Sequence, residues 1–361
     1  IYEEDVATWH SVLHLMGTLA ASDSRTWRWP DADSMHTTDE PFYIEGIQKH
    51  AFVLEAKAKL LSHQGSTKQA VATTFQLILI GQGMLNAPGD FAHQRLGMTL
   101  ASRGLGLLQW VLTTSTTSPE LLRHCITELE SLHGPSREDL EFAIKLEYQR
   151  LKHLIRQKKW GAAMGEPWSD KMSDKLLGVL AFKPNRTLSC VLSMDRAILQ
   201  RLSQSHLEGY IQSLSEKSQL LSLAKEQGIV KLVLGGNLGG LEGIHHSLSG
   251  TANHVRWVIA HDNELHQARI VLAVRLHELE EGSLPASLQE LVPAHLSTLP
   301  IDTFSGQPMR WNAATKVVYS IGPNFKDDHG QIQTTGPALH KDDSMPYWWR
   351  EPRKKTKAAA P

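Results

Sequence analysis

Apolar residues recur at three- and four-residue steps through most of the chain up to about residue 281, the spacing that lines one face of an α-helix. The first such segment sets Val6, Trp9, Val12, Leu13, Met16 and Leu19 on one face. Between Ser22 and Pro41 the composition shifts to Trp, Pro, Asp, Ser and Thr, which reads as a long irregular connection. Helical patterning resumes at about 44–63, 67–85 and 90–115, broken at Gly65-Ser66 and at Ala87-Pro88-Gly89. Ser118-Pro119 puts an N-cap hydroxyl before a proline at the first helical position, opening a helix over 119–132. Ser136 with Asp139 forms a capping-box pattern for a helix over 137–160, on which Leu140, Ile144, Leu151 and Ile155 share a face. A Trp-, Pro- and Met-rich segment (160–187) precedes a helix at 188–227. Val258, Leu265, Leu272 and Leu279 then recur every seven residues along a long helix from about 251 to 281.

After Gly282 the pattern changes to short, turn-punctuated pieces: a short helix at Ala286–Leu291, then strand-like Met309–Trp311 and Lys316–Ser320. The expected fold is mainly α: a helical bundle or short helical-hairpin array followed by a small α+β C-terminal module with a β-hairpin. The helical domain is expected over 1–250, with its irregular loop at 22–43. The long helix and β module follow over 251–345, and a disordered basic tail over 346–361.

The 361 residues leave room for two domains or one helical array with an appendage. Thirty-seven Lys and Arg balance 38 Asp and Glu, a net charge of −1, which argues against a surface built to track nucleic acid. The basic end of the 137–160 helix (Arg150, Lys152, Arg156, Lys158, Lys159) reads as a solvated face that complements the helix dipole. No apolar run approaches the ~20 residues needed to span a bilayer. Phe75–Ile80 and Leu176–Phe182 read as core helix. The two cysteines, Cys125 and Cys190, lack any CxxC or zinc spacing; one disulfide is open to them, and two free buried thiols are the reading preferred here.

Candidate chemistry is sparse. Ile229–Leu234 followed by glycines invites a strand–loop–helix phosphate cradle, and Gly235 and Gly240 have the spacing. Leu241-Glu242 stands where Lys-Ser/Thr is needed, so a helix–helix connection is expected instead. Nineteen histidines include His10 and His14 at i, i+4, His254 and His261 at i, i+7 with Glu264 and His266 nearby, and an ExxH pair, Glu242 and His245. Surface or core histidines are the plainer reading, and a metal-dependent hydrolase built on these helices is the alternative. His246-Ser-Leu-Ser-Gly250 lacks the first glycine of GxSxG, so no catalytic residue is expected. Trp27, Trp29, Trp348 and Trp349 read as caps on the helical core, with anchors for a partner or a carbohydrate face as the alternative.

The segment Gly282-Ser-Leu-Pro285-Ala-Ser-Leu288-Gln-Glu-Leu291-Val292-Pro293, then Leu299-Pro300-Ile-Asp302-Thr-Phe304-Ser-Gly306-Gln-Pro308, then Val318-Tyr319-Ser320-Ile321-Gly322-Pro323-Asn324, resembles the C-terminal module of G-type pseudopilins of type II secretion systems. Thr303 stands where that family usually has Pro, and Asn324 where it often has Asp. The whole chain also resembles a group of uncharacterised bacterial helical proteins that join an N-terminal anchor and helical pairs to such a module. Ala56–Leu61 with Ala70-Val71, and the turn Asn237–Leu241, carry that likeness.

The resemblance implies a non-enzymatic, envelope-associated structural or protein-interaction protein, extracytoplasmic, whose helical hairpins offer grooves to a protein partner. A pilus or secretion-system subunit is a further alternative. Membrane contact would come only through an N-terminal anchor upstream of Ile1, consistent with a chain that begins Ile1-Tyr2 without Met. G-type pseudopilins hold calcium in the loop after their S-x-G strand. The resemblance therefore implies a calcium site at Asp327 and Asp328, completed by Asp342 and Asp343, and no other cofactor.

Overall fold

The protein is mainly α-helical, with a small C-terminal module of two short antiparallel β-hairpins. The computed structural model describes residues 42–156, 182–234, 238–330 and 344–346. The helices are α1 (Phe42–His63), α2 (Thr67–Asn86), α3 (Phe91–Thr114), α4 (Pro119–Glu130), α5 (Arg137–Arg156), α6 (Pro184–Leu202), α7 (His206–Leu234) and α8 (Leu238–Glu281). Their starts follow the local sequence. The Asp90 carboxylate accepts from His93 N at 2.9 Å, and the Ser118 hydroxyl accepts from Leu121 N at 3.3 Å ahead of Pro119. Ser136 and Asp139 form a reciprocal box: Asp139 N donates to Ser136 Oγ (3.2 Å) and Ser136 N to Asp139 Oδ2 (2.9 Å). Among the described residues no helix is long and apolar enough to cross a membrane.

Helices α2 and α3 make the tightest pair, because glycines let their backbones meet. A Cβ at Gly81 would lie 2.4 Å from Ala101 N, one at Gly97 2.7 Å from Gly81 O, and one at Gly104 2.5 Å from Ile78 Cγ1. Helix α1 covers both, and Ala51, Leu54 and Ala58 are fully buried there.

Two hydrophobic cores meet along α8. The first joins α1–α4 to the C-terminal half of α8 (Leu265, Ile270, Val271, Val274) and to Leu288, Leu291, Met309 and Val318 of the module. The second joins α5, α6 and α7 to the N-terminal half of α8 (Ile244, Leu248, Val255, Val258, Ile259) and to Phe304 and Ile321. Leu140, Ile144, Leu151 and Ile155 are all buried, as their spacing predicts. Of the heptad residues, Val258, Leu265 and Leu272 are buried, whereas Leu279 is 38% exposed.

Three boundaries differ from the sequence reading. The helix expected at 188–227 is two, α6 and α7, turned at Ser203-Gln204-Ser205, where the Ser205 hydroxyl accepts from Glu208 N (3.1 Å). Ile229–Leu234 forms the end of α7, so no strand precedes the glycines. Helix α8 starts at Leu238 rather than near 251 and takes Gly239, Gly240 and Gly243 into its first turns. Each helical glycine costs about 1 kcal/mol relative to Ala. Burial of Ile244 and Leu248 on the second core outweighs that.

In the module, a 3-10 turn at Leu288–Leu291 is closed by a Ser287/Glu290 capping box. Strand β1 (Ile301–Asp302) pairs antiparallel with β2 (Gln307–Pro308). The expected hairpin is β3 (Arg310–Asn312) against β4 (Val317–Tyr319), with Trp311 opposite Val318. A strand from further along, β5 (Ser344–Pro346), pairs with the far edge of β4. Tyr210 of α7 packs edge-on to Phe304 (6.2 Å between centroids), and Phe304 to Phe325 (6.1 Å), tying the module to the second core.

Candidate functional site

Among the described residues, the most heavily bonded side chain is Asp302, fully buried where β1 meets α8. Its Oδ1 accepts from Asn263 Nδ2 (3.2 Å), Ser320 Oγ (2.7 Å) and Phe304 N (3.0 Å). Its Oδ2 accepts from Ser305 Oγ (2.8 Å), Ile321 N (3.1 Å) and Arg310 Nη1 (3.2 Å). Asn263 of α8 also accepts from Thr303 N (2.9 Å), and Ser320 Oγ accepts from Gly322 N (3.0 Å). A carboxylate with every lone pair occupied is an anchor, with no site left to take a proton from a substrate. Asp302 therefore fastens both hairpins to the long helix.

A polar cleft of about 390 Å³ opens between α3, α5 and the N-terminal half of α8. Arg95, Glu147, Arg150, His246, His254 and Trp257 give it its chemistry. The Arg95 guanidinium lies over the Trp257 ring at 5.2 Å, and Arg256 lies near the same ring at 5.8 Å. Arg150 Nη1 sits 3.5 Å from Glu147 Oε2. Burial pushes the Glu147 carboxyl up, partly offset by Arg150 and reinforced by Asp90. On the facing side of α5, Asp195 of α6 is pushed up to about 7 by burial and by the Glu147 charge.

His254 forms the inner wall of the cleft. It is 1% exposed, stacked on Phe91 at 4.1 Å and 17°, and its Nε2 lies 2.6 Å from Gln94 Oε1. Burial, helped by the Arg95 charge, drives its pKa down to about 3, so it is neutral at physiological pH. Its Nδ1 has no hydrogen-bond partner among the described residues.

A second recess, about 600 Å³, runs between α2 and α4. Val71, Phe75 and Leu121 form its floor, with Lys68, Glu120, His124 and Glu128 around it. Its own backbone N–H and the Ser118 hydroxyl at the α4 N-terminus hold Glu120 below the usual carboxylate range.

Among the described residues, the histidines singled out by spacing do not converge. His254 faces the cleft. His261 is buried 3.8 Å from Glu264 Oε2, and Glu264 is hydrogen-bonded to Ser102. His266 Nδ1 meets Ile301 O at 2.9 Å. His245 lies half-buried on α8; Glu242 shares that helix, but its side chain lies outside the described residues. Among the described residues no three His, Cys, Asp or Glu side chains are grouped to hold a metal ion. Asp327 Oδ1 accepts from His329 N (2.9 Å), and its Oδ2 lies 3.3 Å from Arg310 Nε. Asp328 Oδ2 accepts from Asn324 Nδ2 (2.9 Å).

Asp342, Asp343, His10, His14 and the four loop tryptophans lie outside the described residues, as do Lys158 and Lys159. Cys125 and Cys190 are free thiols, the first buried and the second half-buried. Sequence reasoning missed the cleft because its residues come from three helices. It read Arg150 as part of a solvated basic face, whereas Arg150 lines the cleft. Compared with known proteins, the chain matches no family model, no curated protein and no solved structure.

Proposed function

We propose that the protein is a non-enzymatic, envelope-associated interaction protein whose helical hairpins hold an amphipathic segment of a protein partner. The observation that carries this reading is the recess between α2 and α4. It has an apolar floor of Val71, Phe75 and Leu121, long enough for a few side chains, with Glu120 and Glu128 at its edge. Helix-in-groove recognition needs such a floor for the apolar anchors and charges beside it for register. Two carboxylates against Lys68 favour a segment carrying basic residues. The resemblance of the C-terminal module to G-type pseudopilins supports an envelope setting, and the Asp302 anchor supports a rigid scaffold.

The test is photo-crosslinking in native cells from a probe amino acid at the exposed His124 position. The reading expects one discrete adduct with a single protein, lost when Ala72→Arg on the exposed groove edge repels basic side chains. No adduct, or an adduct unchanged by Ala72→Arg, contradicts it. A stoichiometric transition metal in the purified protein, with hydrolytic activity, would favour the hydrolase alternative instead.

A further inference from the structure

The cleft between α3, α5 and α8 has chemistry that the partner groove does not use, and a hydrogen-bond chain fixes what it asks of a ligand. Asp139 O is a backbone carbonyl and can only accept, so the Gln94 side chain must present Nε2 to it (3.2 Å). That leaves Gln94 Oε1 facing His254 Nε2, 2.6 Å away, and Nε2 must therefore carry the imidazole proton. Nδ1 is then a bare acceptor lone pair. It is buried, has no partner among the described residues, and belongs to a residue that lines the cleft. A buried acceptor left without a donor costs about 1–3 kcal/mol, so an occupant that brings an O–H or N–H is favoured once the wall covering the atom gives way.

The rest of the cleft adds two requirements. The exposed Arg95 makes no hydrogen bond or ion pair among the described residues; it is held in place only by its stack on Trp257. Arg95 and Arg150 outweigh Glu147, so an anion is favoured. Ser247, Thr251 and Asn253 add neutral donors and acceptors around the same space, which suits a ligand with several hydroxyls rather than an apolar acid. The volume of about 390 Å³ falls in the range of small-molecule sites.

We infer that this cleft binds a small polyhydroxylated carboxylate of the sugar-acid class. Its carboxylate sits on Arg95 and Arg150, its hydroxyls meet Ser247, Thr251 and Asn253, and one of them donates to His254 Nδ1 once the wall that covers that atom gives way. This site is separate from the α2–α4 groove and does not depend on the partner reading.

Calorimetric titration of the whole protein with D-glucuronate tests it, with D-glucose, acetate and sulfate as matched probes. Glucuronate is expected to bind saturably at micromolar to millimolar concentration, about ten-fold or more tighter than glucose (no charge) or acetate (no hydroxyls). Arg95→Gln, on an exposed face, is expected to weaken glucuronate about ten-fold or more. Asn253→Ala is expected to weaken it less, and Ala72→Arg in the groove to leave it unchanged. His254→Phe keeps the ring stack and removes the acceptor, and should remove the preference for glucuronate over acetate. If that variant fails to fold, the Arg95 and Asn253 variants still decide the question. No saturable binding of glucuronate, undiminished binding by Arg95→Gln, or sulfate bound as tightly as glucuronate would each overturn the inference.

Discussion

In the core shared by α1–α4, the buried hydroxyls of Thr73 and Thr74 turn back onto their own helix, donating to Gln69 O and Ala70 O at 2.9 Å each. Around the core of α5–α7, charged and imidazole side chains are buried: His254 beside the cleft, Asp195 next to Glu147, and His93 from the adjoining start of α3, its pKa driven down to about 4 by burial. The same helix, α8, runs through both. One core is sealed by glycine-mediated backbone contact and apolar side chains. The other holds Asp195, His93 and His254, whose protonation burial shifts, and it is the one with a polar cleft. The polar cleft and the buried Asp195, His93 and His254 thus lie in one half of the fold, while in the other half burial lowers His266 and His295 without opening a cleft of that kind among the described residues.

Asp302 sits where the halves are joined, since the hairpins it fastens send Met309 and Val318 to the first core and Phe304 and Ile321 to the second. Asp302→Ala should therefore have the largest effect. It removes the acceptor shared by Arg310, Asn263, Ser305, Ser320 and two backbone N–H groups, at a cost of about 3–5 kcal/mol in chemical denaturation. Asp302→Asn should cost less, because it keeps the shape and part of the bonding. If both variants melted like the parent, the anchor role would be wrong.

Next in size is Gly97→Ala. An alanine in a helix interior normally gains about 1 kcal/mol over glycine. Here its Cβ would meet Gly81 O and Leu85 N, both backbone atoms, at 2.7 Å, so α2 and α3 must part. A net loss of about 2–3 kcal/mol is expected. A stabilised variant would show that the contact between these helices is looser than described.

The second core should respond to pH. Asp195, raised to about 7 in the folded state from 3.8, lends stability that is full below pH 3.8 and lost as pH rises through about 7. His93 and His254, lowered to about 4 and about 3 from 6.5, act oppositely: their contribution is full above pH 6.5 and lost as pH falls. The two trends offset each other between about pH 4 and 6.5. Asp195→Asn should break the balance, stabilising the protein by about 1–3 kcal/mol at pH 8 and steepening its loss of stability in acid. A pH profile parallel to the parent's would contradict this. The smallest effect is in thiol labelling. Burial pushes Cys125 in the first core up to about 12, while Cys190, half-buried beside the second, is raised less decisively by burial and Glu216, so Cys190 should react first with an aromatic disulfide.

What could be read from the sequence divides along the same line. Caps at Ser118 and Ser136, the α5 apolar face and the β3–β4 hairpin rest on local spacing and were legible. The start of α8 was not, because burial overrode three glycines, and the α6–α7 break was not, because Ser-Gln-Ser has no strong turn signal. The cleft could not be found by spacing at all. Arg95, Glu147 and His254 are brought together by helix packing, and the tautomer that gives His254 its role depends on Gln94 and on the carbonyl of Asp139.

Native-state hydrogen exchange along α8 tests the division most directly, since one helix reports on both cores. Amides of 265–276 are expected to exchange only with global unfolding. Amides of 244–259 should exchange through a lower-energy opening, and Asp195→Asn at pH 8 should protect that stretch selectively. Uniform protection along the helix, shifted equally throughout by the substitution, would mean that the two halves are a single cooperative core and would contradict the account.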